Sequence, residues 1–422
     1  MIFHIDGNSF YAACERVYRP DLAHSPIAVL SNNDGIIIAL NAECKALGFK
    51  RGDAFFENKR KLEKSGVVIF SSNYTLYADL SARMNLIYNR FAPDVEMYSI
   101  DESFLFFPGW KNEDFSALAF AIKKTVTTET GIPVSVGAAP TKTLAKMCNA
   151  LAKKQDGVCV WDEINQEEEL RNYPVENVWG IGYSKSNFLK RHGITNALEL
   201  KNYPLAAAKK NLTINGFRTV RELNGIPAIG KAGHGARQII MVSRSFQSPV
   251  YDLDSIIAAL ALYTQEAVKR MREGRLSCKY VIVYLMTNAF SEGDQYFNQM
   301  SAELPYLSAY LPEIQEAAIG LVKKVYRPGY KYRKVMVGLA GLENDDKPQY
   351  DLFDDHYEQV KRLEPLMQAF DSINGRYGRG TITLGTGITR RKPNDEWLPW
   401  EMKREYLSPR YTTNIKEIPV VY

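Results

Sequence analysis

A chain of 422 residues with 45% apolar content is long enough for several hydrophobic cores and too apolar for a disordered protein. Its five cysteines, Cys14, Cys44, Cys148, Cys159 and Cys278, show no CxxC spacing, which excludes the ordinary thiolate metal sites and disulfide frameworks and points to buried thiols in a reducing compartment. No basic leader precedes an apolar core and no apolar run reaches membrane-spanning length, so a cytoplasmic location is expected. The net charge of +5 conceals an uneven spread: residues 1–170 sum to about −4 and residues 171–238 to about +8. That sequence of signs suits a polyanion gripped beside a cation-binding site.

Taken in order, Ile2-Phe3-His4-Ile5 reads as a strand ending in Asp6, followed by Gly7 and by Phe10-Tyr11 at the start of a short helix. A ring placed there could block a sugar 2′-hydroxyl by sterics alone. Residues Pro26 to Ser31 and Ile36 to Leu40 read as strands around the turn Asn32-Asn33-Asp34-Gly35, and Asn41 caps a helix that carries Lys45 and ends at Gly48. The periodicity of Leu76, Leu80, Met84, Ile87 and Phe91 predicts a helix over Tyr74 to Phe91.

Next comes VEMYSIDESFLFF, in which Asp101 and Glu102 stand between two strand-like runs, Val95 to Ile100 and Ser103 to Phe107. A helix follows through Phe115, Leu118, Ala119, Ile122 and Val126, stopped by Gly131, and then a strand from Pro133 to Ala139. The order βαββαβ is ferredoxin-like and puts the first and third strands side by side, so Asp6, Asp101 and Glu102 are expected to converge on a hard cation. The helix Thr141 to Lys154 buries Leu144, Met147, Cys148 and Leu151, and its other side predicts a row of ammonium groups at Lys142, Lys146 and Lys153. Acids holding metals beside such lysines describe a triphosphate site.

The basic segment opens with Trp179-Gly180-Ile181-Gly182 and continues through a helix, bearing Lys185 and Lys190, to His192-Gly193-Ile194. Glycines at a helix start let backbone N–H groups approach phosphate, as in a helix-hairpin-helix that grips nucleic acid without reading bases. Beyond a Gly-rich linker a second βαββαβ succession spans Gln238 to Leu339, without converging acids, and reads as a binding domain whose sheet lies against DNA. Then Gln349-Tyr350-Asp351-Leu352-Phe353 reads as a short docking peptide, and Trp397, Trp400 and Tyr406 mark a tail that docks on something.

These residues resemble the Y-family translesion DNA polymerases, and among them the branch that serves the bacterial SOS response. The likeness runs the length of the chain through DGNSFYAACE at Asp6, LSNNDG at Leu30, NAECKALG at Asn41, FSSNYTLYADLS at Phe70, YSIDESF at Tyr98, TKTLAK at Thr141, VWGIG at Val178 and LSPRYTT at Leu407. It implies an α+β multidomain fold. A ferredoxin-like palm (1–10 and 73–164) would carry inserted fingers (11–72), followed by a helix-hairpin-helix thumb (165–232), a second ferredoxin-like little finger (238–341) and a C-terminal tail (342–422). By the same resemblance Asp6, Asp101 and Glu102, with the Gly7 carbonyl, would hold two Mg²⁺ ions. Phe10 and Tyr11 would border the nucleotide, Tyr11 as steric gate, and Lys45 and Lys153 would meet the triphosphate. Gly180, Gly182, Lys185 and Lys190 would meet primed template DNA, and Gln349, Leu352 and Phe353 a sliding clamp. A cleaved UmuD-type dimer and a recombinase filament are the further partners implied, with nucleoid association when active. Many family members have Tyr and Arg where this chain has Ala42 and Lys45, so a point charge replaces a bidentate fork at the phosphates. The rival readings are a nucleotidyl cyclase on a related palm and a catalytically dead DNA- and clamp-binding scaffold. The basic segment and second sheet oppose the first, and the presence of all three acids opposes the second.

Overall fold

The computed structural model describes residues 1–110, 114–231, 238–344, 356–378, 380–385 and 402–418, with the helical backbone alone over 356–361. Gln349, Leu352 and Phe353 of the expected clamp peptide, and Trp397 and Trp400, lie outside the described residues. The chain divides into two compact units, Met1–Gly233 with Arg404–Tyr422, and His234–Lys403.

The first unit is built on a five-stranded sheet in the order Asp94–Met97, Glu102–Phe106, Ile2–Gly7, Val134–Ala139 and Val158–Val160. Its first and third strands are neighbours, as the ferredoxin-like succession requires. Alternation of side chains along the first strand decides what each face meets. Phe3 and Ile5 point into the core under the helices Tyr74–Phe91 and Phe115–Thr130, while Ile2 joins the core under the helix Lys142–Ala152. His4 and Asp6 share the parity of Ile2 and therefore face that same helix. Gly131 ends the Phe115 helix with a φ of 73°, as its position at the C-cap requires.

Between the first strand and the Tyr74 helix lies a three-stranded sheet, Ile37–Leu40, Ile27–Leu30 and Val68–Ser71, the last two parallel. Asn41 fixes its edge: the side chain accepts from Cys44 N at 3.1 Å and Ile27 N at 2.9 Å and donates to Ser25 O at 2.7 Å. The strand Val68–Ser71 and the helix Phe55–Lys64, which buries Phe55 and Leu62, had no counterpart in the sequence reading. Short helices from Gln166 to Leu223 then pack on the Lys142 helix, sharing one core.

The second unit repeats the βαββαβ succession with other neighbours: Phe297–Ser308, Leu276–Thr287, Tyr332–Ala340, Ile239–Val250. Its second and fourth strands are inner, whereas the first, third and fourth are inner in the first unit. Helices Leu253–Glu273 and Leu311–Val325 cover one face. An additional helix, His356–Tyr377, adds Met367 and Phe370 to that core, and Asp371 receives both arms of Arg272 at 2.7 Å. Part of the tail is thus an ordinary packed element. All five cysteines are buried free thiols. Among the described residues no helix is long and apolar enough to cross a membrane.

Candidate active site at the end of the first strand

Asp6 and Glu102 are directly opposed in antiparallel register, so their side chains share the face beneath the Lys142 helix. Two carboxylates so placed repel unless cations intervene. Here lysines intervene: Lys153 Nζ donates to Asp6 Oδ1 at 2.6 Å and Lys146 Nζ to Glu102 Oε1 at 2.8 Å. His4 Nε2 lies 3.4 Å from the same Glu102 oxygen. Burial by itself would raise the Glu102 carboxyl, but the adjacent His4 ring and the hydrogen bond from Lys146 outweigh it and hold the group at about 2. Burial raises Asp6 above its ordinary value, against the pull of Lys153, and lowers His4. Lys146 sits in an aromatic box, with its Nζ 4.6 Å from the Tyr98 ring centre and 5.2 Å from that of Trp179.

Asp101 occupies the turn before the strand, its carbonyl accepting from Gly7 N at 2.9 Å and its carboxylate receiving Ser99 Oγ at 2.7 Å. The backbones of all three acids meet, but only the Asp6 and Glu102 side chains form a pair. Among the described residues no three Asp, Glu, His or Cys side chains gather closely enough to form a ready ion site. The physical reason is visible in the partners: lysines and a serine hold the carboxylates apart. The donor set still fits a hard divalent cation, because every candidate ligand is an oxygen and a cation would relieve the Asp6–Glu102 repulsion that the lysines now offset.

The row of lysines is not continuous. Lys142 is buried and bonded to Glu96 at 2.6 Å and to Gly230 O at 2.9 Å, so it ties the linker to the sheet and faces no phosphate. Lys153 and Lys146 remain at the acids. Lys45, from the inserted sheet, extends its Nζ to 3.5 Å from Ser9 Oγ in the loop after Asp6. Phe10 is buried in the core, and a Cβ on Gly7 would lie 3.0 Å from its ring, so Phe10 props the strand end. Only Tyr11 of the two rings is partly open, stacked on Tyr77 at 4.5 Å and 17° with Tyr74 at its edge. Gly180 has a φ of 89° and Gly182 caps the helix Tyr183–Arg191. Lys185 Nζ donates to Gly180 O at 3.1 Å, and Lys190 pairs with Glu176 at 2.8 Å.

Two residues that shape this site escaped the sequence reading. Gly137 stands in the strand beside His4, and a Cβ there would fall 2.2 Å from Asn149 N and 2.4 Å from Ala145 O. Its missing side chain lets the lysine-bearing helix approach the sheet, where Asn149 Nδ2 donates to His4 O at 3.0 Å and Ser135 O at 2.7 Å. A glycine inside a strand was the available signal. Glu222 is buried and accepts from Thr143 N at 2.8 Å at the start of that helix, as well as from Ala228 N and Ile229 N. No local pattern announces that role.

Comparison with known proteins agrees with this architecture. The model of the impB/mucB/samB family matches residues 5–150, its C-terminal domain matches residues 237–352, and a domain of unknown function (DUF4113) matches residues 364–421. Solved structures with the same fold include a Y-family DNA polymerase chimera of Dbh and Dpo4, with a TM-score of 0.68 at 19% identity over 81% of this chain and 99% of that one. The UmuC protein of Salmonella typhimurium is 38% identical over 98% of both chains, and MucB of Escherichia coli is 36% identical over 99% of this chain and 98% of its own. DNA polymerase IV of Moorella thermoacetica is 29% identical over 91% of this chain and 95% of its own. The chain belongs to the impB/mucB/samB family and is a UmuC-like Y-family DNA polymerase. Polymerases of this class use divalent metal ions.

Proposed function

We propose that the chain carries out error-prone translesion synthesis in the SOS response, by transferring a deoxynucleotide to a primer 3′-hydroxyl with release of pyrophosphate. What carries the reading is the Asp6–Glu102 cross-strand pair with Lys153 and Lys146 bonded to it. Asp6, Asp101 and Glu102, with the Gly7 carbonyl, would hold two Mg²⁺ ions. Bound there, the ions would lower the pKa of the attacking hydroxyl and neutralise the leaving pyrophosphate. Lys153 and Lys146 would be released from the carboxylates as the ions bind, which frees Lys153, together with Lys45, to hold the triphosphate. Tyr11 would exclude ribose by contact with its 2′-hydroxyl. Residues 1–10 and 73–164 then act as palm, 11–72 as fingers, 165–232 as thumb and 238–341 as little finger. Gly180, Gly182, Lys185 and Lys190 grip the template duplex by its backbone. Gln349, Leu352 and Phe353 dock on a sliding clamp, and a cleaved UmuD-type dimer and a recombinase filament are further partners. The protein acts in the cytoplasm on the nucleoid.

The test is Asp101→Asn. Primer extension across a lesion should fall by several kcal/mol of barrier, on the order of a thousandfold, while binding to primed DNA stays close to wild type. Normal turnover in that variant would remove Asp101 from the metal site.

A further inference from the structure

We propose that the tail segment Tyr406–Thr413 braces the helices behind Tyr11, with Ser408, bonded to Asn73, as the positioning residue that sets how firmly Tyr11 excludes a ribose. This rests on the polymerase reading above, and on Tyr11 as the gate, and adds a role for a segment that lies in the domain of unknown function.

Behind Tyr11 stand two supports. The ring stacks on Tyr77, and the Tyr77 hydroxyl donates to Glu15 Oε1 at 2.6 Å. Glu15 lies one turn after Tyr11 on the helix Phe10–Val17, so its carboxylate fixes the ring on which the gate leans. Both Tyr77 and Glu15 are fully buried. A buried carboxylate is costly unless hydrogen bonds satisfy it, and burial pushes this one up to about 7. Its second oxygen, Oε2, is buried and takes no other hydrogen bond among the described residues.

The tail meets the helix of the backing ring at its start, where Ser408 is buried. Asn73 Nδ2 donates to Ser408 Oγ at 2.9 Å. Asn73 is also the N-cap of the helix that carries Tyr74 and Tyr77, accepting from Leu76 N at 3.3 Å. One serine therefore holds the cap of the helix that carries the gate's backing ring.

The segment is anchored on each side of Ser408. Before it, Tyr406 O accepts from Ser71 N at 2.9 Å, Tyr406 N donates to Ser71 Oγ at 3.0 Å, and the Tyr406 ring meets Phe55 edge-on at 5.6 Å. After it, buried Tyr411 stacks on Tyr18 at 4.8 Å and 12°, at the end of the Tyr11 helix. Arg410 closes the turn that follows, its backbone N–H donating to Glu417 Oε2 and its guanidinium to Glu417 Oε1. The strap thus spans from the inserted sheet to the two helices that hold Tyr11 and Tyr77.

The experiment measures kcat/KM for a deoxynucleotide and for the matching ribonucleotide in single-nucleotide extension by the full-length protein, in wild type, Tyr11→Ala, Ser408→Ala, Asn73→Ala and the double variant Ser408→Ala/Asn73→Ala. Thermal denaturation checks that each is folded at the assay temperature, and Ser408→Cys, which keeps the atom count, replaces Ser408→Ala if it is not. Ser408→Ala is expected to lower the deoxy-to-ribo ratio roughly three- to tenfold, the factor of one hydrogen bond, with kcat for the deoxynucleotide nearly kept. Because Ser408 acts through Asn73, its effect should largely vanish in the Asn73→Ala background. An unchanged ratio in Ser408→Ala, or effects that simply add, overturns the inference. Tyr11→Ala separates this from failure of the gate itself: if that variant does not admit ribonucleotides, the underlying reading is at fault and not the strap.

Discussion

Both sheets have a glycine on an inner strand, and the two glycines have opposite surroundings. In the first unit a Cβ on Gly137 would collide with the backbone of the Lys142 helix, 2.2 Å from Asn149 N. In the second unit a Cβ on Gly338 would meet only side chains, Ile239, Ile282 and Met241, at ordinary contact distances of 3.5 to 3.6 Å. Gly338 shares its cross-strand row with Met241, Ile282 and Ser301, on the face that none of the described helices of that unit covers. The first sheet is sandwiched between helices and uses close approach to bring lysines to carboxylates. Among the described residues the second is covered on one side only. The same element succession is thus packed differently in the two units, between helices in one and against helices on a single face in the other.

The largest effect that could break this contrast is on stability. Gly137→Ala must push the helix away from the sheet and loosen the Asn149 bonds to His4 and Ser135, at a cost of about 3 kcal/mol or more. Lys146 and Lys153 would retreat from Glu102 and Asp6 with it. Gly338→Ala should stay within about 0.5 kcal/mol of wild type. Thermal or urea denaturation decides, and equal losses in the two variants would show that the second sheet is packed as tightly as the first.

A second difference is electrostatic. Glu15 is a buried carboxylate in the first unit, raised by burial to about 7, and the described residues of the second unit bury no carboxylate. With the folded value above the unfolded one, the native state holds the extra proton between about pH 4.5 and 7, so stability falls as pH rises through that window and levels above it. Removing the charge by Glu15→Gln should abolish up to about 3 kcal/mol of that decline. Amide exchange followed unit by unit as a function of pH should show the decline in residues 1–233 and not in 238–344. A wild-type profile flat from pH 4.5 to 7 would mean that Glu15 is ionised at little cost.

Much of this was legible from local pattern. The Tyr74–Phe91 helix, the Gly131 stop and the adjacency of the strands that carry Asp6 and Glu102 follow from periodicity, cap chemistry and a familiar strand order, whereas the expected gathering of Asp101 with them does not appear among the described residues. What was not legible depends on contacts distant in sequence. Lys142 has the spacing of its neighbours Lys146 and Lys153, but buried Glu96 lies opposite it and takes it out of the row. Ser408 is more than 300 residues from Asn73, and a serine beside a proline offers no sign that it holds a helix cap. The helix His356–Tyr377 was missed because Pro365 lies inside it and Gly375 near its end, residues that weaken a helical pattern until Met367 and Phe370 find a core.

The smallest effect expected separates the two proposed DNA contacts by their dependence on salt. Residues 171–238 sum to about +8, so phosphate contacts there should release counterions, at about 0.9 in the slope of log K against log salt for each. The two middle rows of the open face of the second sheet, by contrast, run Ser243, Met336, Tyr284, Gln299 and Met241, Gly338, Ile282, Ser301, without a charge, and the rows flanking them carry one charge of each sign, Lys334 and Glu303. Neutralising Lys185 and Lys190 together should therefore flatten the slope, and by less than the full two contacts. Lys190 must first leave Glu176 and Lys185 must leave the Gly180 carbonyl, so part of each charge is already spent within the protein. A reduction of about 1 is the expected outcome. Tyr284→Ala should weaken binding with the slope unchanged, because it removes contact area and no charge. If Tyr284→Ala alters the slope while the lysine pair does not, the basic segment is not the phosphate grip and the assignment of roles to the two regions must be reversed.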